Sequence, residues 1–169
     1  TFNTLQQIYN YGKQRVFSSI PRVSGTKGEY TYEILRLDDP LAVAIGTLTD
    51  CCQELGNVAE TCMEHSMVDK HGRIFVIKNK KGEIIAQSWV WRNNNTICFD
   101  NIEVPDKQMH SHGIKRGLED SGIRNKFTDE ILSIYKLAAE EMIELDKKTY
   151  SKLLEEGKIT EEQYESLIL

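Results

Sequence analysis

Between Arg73 and Val104 the chain carries three runs rich in β-branched and aromatic residues, divided by turns too short for anything but hairpins. Arg73 to Lys78 is the first run, and Asn79-Lys80-Lys81-Gly82 is the turn after it. Glu83 to Trp91 is the second and Asn93-Asn94-Asn95 the next turn; Thr96 to Val104 is the third, ending before Pro105. Short connections oblige consecutive strands to pair antiparallel, so a three-stranded meander is expected at the centre of the fold.

Helical periodicity flanks the meander. Leu5, Ile8, Tyr9 and Val16 mark a short amphipathic helix that breaks before Pro21, and residues 22–28, with two glycines, read as a loop. Tyr30 to Leu37 alternates like a strand and stops at Asp38-Asp39-Pro40, where an aspartate before proline suits a helix start. Leu41 to Ile45 leads to Gly46; Thr49 or Asp50 is placed to cap a second helix, interrupted at Gly56, and residues 58–67 continue in helical style. After Pro105 comes a polar loop with His110, His112, Gly113, Gly117 and Gly122. Thr128 is then expected to cap a long helix with Ile131, Leu132, Tyr135, Leu137, Ala138 and Met142 on its apolar side. A break at Gly157 precedes a capping box from Thr160 to Gln163. The chain divides into a leading helix and loop (1–28), an α+β core (29–145) and an acidic helical tail (146–169).

Composition narrows the function classes. At 169 residues with 40% hydrophobic and 28% charged side chains, the chain can bury the core of one domain. No apolar run reaches the roughly 20 residues that span a bilayer, so no membrane role is expected. Residues 129–169 carry a net charge of −6 and residues 1–128 a net of +1, a balance that does not favour nucleic-acid phosphates. Cys51, Cys52, Cys62 and Cys98 form no regular disulfide framework, which fits reduced thiols in a cytoplasmic protein. A start at Thr1 and an apolar end at Ser166-Leu167-Ile168-Leu169 fit a piece of a longer chain, with its other domains as partners.

The order strand, helices, three antiparallel strands, loop, helix resembles the GNAT acyl-CoA N-acyltransferase fold over about residues 30–145. Phe75-Val76-Ile77 followed by Lys81-Gly82-Glu83-Ile84-Ile85-Ala86 looks like that family's second and third strands with their glycine turn. Phe99-Asp100-Asn101-Ile102-Glu103-Val104-Pro105 is similar to its fourth strand. The resemblance implies a GNAT-like α+β fold, a central antiparallel meander flanked by helices, here with a helical C-terminal extension. It implies acetyl-CoA as the acyl donor and a small-molecule or protein amine as the acceptor. The backbone at Ile102 and Val104 would pair with the pantetheine arm. The loop at Gly113, Ile114, Lys115 and Arg116 would cradle the pyrophosphate, since free N–H groups and a helix N-terminus favour an anion. Lys115 stands where the family has its second glycine, and residues 146–169 read as helix where the family has a further strand. Glu103 would be the general base, with Asp100 as the alternative; strict alternation puts the two on opposite faces. Tyr135 would be the acid to the leaving thiolate, although an aromatic in an apolar helix stripe is more often core.

Two rival classes rest on other residues. Cys51 or Cys52, near a helix start, could be the nucleophile of a transglutaminase-like or papain-like hydrolase; Gln87 stands where that family's strand histidine belongs, and His71 is the substitute. Alternatively Trp89 and Trp91, two apart on one strand, share a face with Ile85 and Gln87. With the acidic tail they could form the contact surface of a non-catalytic interaction module. Cys62-x-x-His65, with Cys51 or Cys52, His71, and His110 and His112 only by folding back, lacks the paired spacing of a zinc site, and no metal is expected.

Overall fold

The computed structural model describes residues 19–36, 39–54, 56, 69, 71–105 and 121–168, without the side chains of 121–127. The predicted opening helix, the helix over 58–67, Cys62, His65 and the loop from His110 to Gly117 lie outside the described residues.

The sheet is larger than the meander. Its five strands are β1 (Ser24–Lys27), β2 (Tyr30–Ile34), β3 (Gly72–Lys78), β4 (Ile84–Asn93) and β5 (Thr96–Phe99), antiparallel in the order β1-β2-β3-β4-β5. The fold is therefore α+β. Residues 22–28, expected as a loop, supply β1 and its turn. Their sequence is polar because β1 is an edge strand, and Gly25 is needed because the Tyr32 ring lies where a Cβ would stand. In the β3–β4 turn Gly82 takes φ 78°, while the Asn79 side chain accepts from the N–H groups of Lys81 and Glu83 at 2.9 and 3.0 Å.

Helix α1 (Pro40–Leu48) starts as the sequence predicts: Asp39 caps it by accepting from Leu41 N–H at 2.9 Å, with Pro40 in the first position. Thr49 does not cap a following helix. It closes α1, its hydroxyl bonding Ile45 O at 2.8 Å, and Asp50 turns away with φ 51°. The helix runs through Gly46, where the Gln53–Glu54 backbone crosses and leaves no room for a Cβ.

Helix α2 (Ser121–Glu155) is 35 residues long and continuous through residue 145. Thr128 and Gly122 fall inside it instead of at a cap and in a loop. A cap contributes about 1 kcal/mol, and each further residue of helix adds a backbone hydrogen bond, so a cap-type residue does not oblige a helix to begin. Gly157, at φ 66°, ends the segment with Lys158 N–H on Leu153 O at 2.9 Å. Helix α3 (Glu161–Ile168) begins at the predicted box: Thr160 N–H to Gln163 Oε1 at 2.9 Å and Gln163 N–H to Thr160 Oγ1 at 3.2 Å. Among the described residues no helix is long and apolar enough to cross a membrane.

The sheet separates two apolar layers. On one face Phe75, Ile77, Ala86 and Val90 pack with Ile131, Ile134, Tyr135, Ala138 and Met142 of α2. On the other Ile74, Val76 and Ile84 pack with Ala42, Val43 and Ile45 of α1. A register shift at Ile77/Lys78 inserts Ile85 as an extra residue, so Ile85 joins the α2 layer and not the tryptophan face where alternation alone places it.

Four tyrosines tie α2 to the sheet. Tyr32 Oη donates to Glu141 Oε1 at 2.7 Å and Tyr30 Oη to Glu130 Oε2 at 3.3 Å. Burial, then the bonded carboxylate, pushes Tyr32 up to about 12. Burial also raises Tyr30, Tyr135 and Tyr150 above the ordinary phenol range. A phenol whose folded pKa is raised favours folding while it keeps its proton, and that contribution disappears as pH climbs through the raised value. Stability is accordingly expected to be unaffected by these groups below pH about 10 and to fall between about 10 and 12. Urea midpoints across that window test this; a midpoint that stays constant from pH about 10 to about 12 would refute it.

Candidate functional site

The functional candidates gather where β4 and β5 part. Pairing runs from Asn93↔Thr96 to Val90↔Phe99, and it resumes at Gln87↔Glu103. Val90 to Gln87 is three residue steps and Phe99 to Glu103 is four, so β5 carries one extra residue: a bulge across Asp100–Ile102. The predicted unbroken strand from Thr96 to Val104 thus ends at Phe99 and returns only as the Glu103 bridge.

The bulge changes which side chains share a face. Phe99, Ile102 and Val104 all pack toward the α2 layer. Glu103 sits directly across from Gln87, on the α1 side with Trp89, and Asp100 follows the Cys98–Trp91 pair on that side too. The expectation that Asp100 and Glu103 face opposite ways is therefore corrected by the extra residue. Glu103 is half-buried, and loss of solvent raises its carboxyl pKa, with the Asp100 charge raising it further. Gln87 is 1% exposed; its Nε2 donates to Cys51 Sγ at 3.7 Å, and its Oε1 has no hydrogen-bond partner among the described residues. The Trp89 and Trp91 rings lie 5.5 Å apart at 52° and stay half-buried.

Ser88, overlooked in the sequence, holds the bulge from the other face. Its hydroxyl reaches Asn101 O at 3.0 Å, Asp100 O at 3.3 Å and Tyr135 Oη at 2.8 Å. Ser88 has one proton for the two carbonyls, so Tyr135 is the donor to Ser88. Tyr135 is clasped between Phe75 and Phe99, with ring centroids 4.9 and 5.1 Å away, and burial raises its phenol pKa. The available signal was a small hydroxyl between Ala86 and Val90 on an otherwise apolar strand face.

Beyond the bulge no described strand pairs with the edge at Ile102 and Val104. Glu103 uses both its N–H and its C=O on Gln87, at 2.9 Å each, so the pleat turns those of Ile102 and Val104 outward. Neither residue has a backbone hydrogen bond to the described residues across that edge. An extended chain bearing amides can lie there in strand fashion. The predicted anion loop, Gly113, Ile114, Lys115 and Arg116, is outside the described residues.

The rival thiol site is only partly assembled. Cys51 is buried beside Gln87 and Thr49, with Thr49 Oγ1 3.5 Å from its sulfur, and Cys52 is exposed. His71 pairs instead with Ser19, Nδ1 to Oγ 2.9 Å, and has no contact with Cys51 among the described residues. No group of three metal-ligating side chains occurs among the described residues. Two cavities of about 450 Å³ lie between the β1–β2 hairpin and α2, one lined by Arg22, Glu141 and Lys148, the other by Lys27, Tyr30 and Glu130. Neither is lined by a residue of the bulge.

No protein-family model matches the chain, and neither a curated protein nor a solved structure matches it.

Proposed function

We propose that this protein is an acyl-CoA-dependent N-acetyltransferase of GNAT-like fold, working at the β4–β5 bulge. The observation that carries the reading is the backbone edge at Ile102 and Val104, unpaired among the described residues, immediately beside a carboxyl of raised pKa, Glu103. Acetyl-CoA, once bound, supplies an acyl group activated as a thioester. The outward N–H and C=O groups of Ile102 and Val104 hold and orient its amide-bearing arm. Glu103 takes the proton that an attacking amine must lose, directly or through water. Ser88 and Tyr135 keep the bulge open from behind.

The test is calorimetric titration with acetyl-CoA and with free CoA. Micromolar binding is expected, lost in Val104→Pro, which deletes the edge N–H while leaving the ladder bonds of Glu103 alone. Absence of binding at millimolar ligand overturns the proposal. In Glu103→Gln, binding is expected to persist while turnover falls about 100-fold, the lower range for removal of a general base. The acid limb of kcat/KM should lie above the ordinary carboxylate range, since Glu103 must be deprotonated to act and its pKa is raised. Asp100→Asn should move that limb downward, because it removes one of the two causes of the shift. A limb that stays in place in both variants assigns the base elsewhere.

A further inference from the structure

The α1-side face of the bulge has a property that the backbone edge does not explain. Backbone pairing sets four residues side by side there: Gln87 and Trp89 on β4, with Glu103 opposite Gln87 and Asp100 N–H bonded to Trp89 O at 2.8 Å. Trp91 extends the wall by one more position on the same face. Gln87, Asp100 and Glu103 each offer an acceptor to the same kind of ligand. Asp100 and Glu103 are acceptors and carry negative charge. Gln87 Oε1 is an acceptor in a residue 1% exposed, with no hydrogen-bond partner among the described residues. A buried acceptor in that condition is uncommon in folded proteins and favours an incoming N–H. The two indoles present negative ring faces, which bind cations and pack against aliphatic stems.

We infer that this face is a binding site for a primary alkylammonium ion: its N–H groups bond Gln87 Oε1 and the Asp100 and Glu103 carboxylates, and its stem lies along Trp89 and Trp91. The indole centroids lie 5.5 Å apart, so a stem of four or five carbons reaches across both rings. An arylamine lacks the charge that the carboxylates select, and an anion is repelled by them. The site stands on these residues alone; it rests on the acetyltransferase reading only in making the bound amine the acceptor.

Trp89 and Trp91 are the two tryptophans of the chain, so intrinsic emission reports directly on this face. The experiment titrates n-pentylamine at neutral pH, with 1-pentanol and pentanoate as controls. A saturable change in emission is expected with the amine and not with the alcohol or the acid. Asp100→Asn and Gln87→Leu should each weaken the amine about tenfold, the scale of one charge-assisted hydrogen bond. Far-ultraviolet circular dichroism shows that each variant is folded. Equal responses to amine and alcohol mean an apolar surface without ammonium selection and overturn the inference, as does no response to the amine. Acetyl-CoA calorimetry on the same samples separates the two claims. Acyl-CoA binding without an amine signal overturns the ammonium site and keeps the transferase. An amine signal without acyl-CoA binding upholds the site and overturns the transferase.

Discussion

Phe75→Ala is expected to destabilise the protein by about 3–5 kcal/mol, the range for removing a large buried aromatic and leaving a cavity. Phe75 is fully buried, and its ring contacts Tyr32, Phe99 and Tyr135 at centroid distances of 6.2, 5.4 and 4.9 Å. It joins β2, β5 and α2 through one side chain, so the cavity cannot close by moving a single element. Domains of this size have total stabilities of about 5–15 kcal/mol, so the loss is a large fraction of the whole. With a urea slope of about 1–3 kcal/mol per molar, the midpoint should drop by at least about 1 M. Phe75→Leu keeps most of the volume and should cost less than half as much. A loss under about 1 kcal/mol in Phe75→Ala would show that the aromatic cluster repacks freely.

Asp146→Ala should cost about 3 kcal/mol, the lower end for breaking a buried ion pair. Arg92 Nη2 lies 2.8 and 2.7 Å from the two Asp146 oxygens, with Nε on Ser19 O at 3.0 Å and Nη1 on Tyr150 Oη at 3.4 Å. The side chains are 9% and 20% exposed, so removing Asp146 leaves a guanidinium largely out of water with its charge uncompensated. The double variant Arg92→Met/Asp146→Leu should recover most of the loss, because it removes both desolvated charges and keeps apolar volume. Melting and urea curves of the four proteins in the cycle measure this. Single variants within about 0.5 kcal/mol of the parent would mean that water screens the pair and that the second half of α2 is held by packing alone.

The local code of this sequence determined its turns, caps and central strands. Asn79-Lys80-Lys81-Gly82, Asp39-Pro40 and Thr160-x-x-Gln163 each satisfy backbone groups within a few residues, so their chemistry is complete before any other part of the chain is present. The β3–β5 meander follows from the same short connections. Tertiary structure decided what depended on distant partners. Ser24–Lys27 became a strand because Tyr30–Ile34 offered it an edge to pair with. Thr128 yielded its capping signal to a helix that runs 35 residues. The candidate site was legible in residue type, since Glu103, Asp100, Gln87 and the two tryptophans stand out in sequence, but not in arrangement. One extra residue in β5 brought Asp100 and Glu103 to the same face, and another in β4 sent Ile85 to the opposite one. A bulge is a choice of register between two strands, settled by which side chains each layer can bury. Ser88 illustrates the point: a polar residue in an apolar strand has no evident purpose until Asn101 O and Tyr135 Oη close around it.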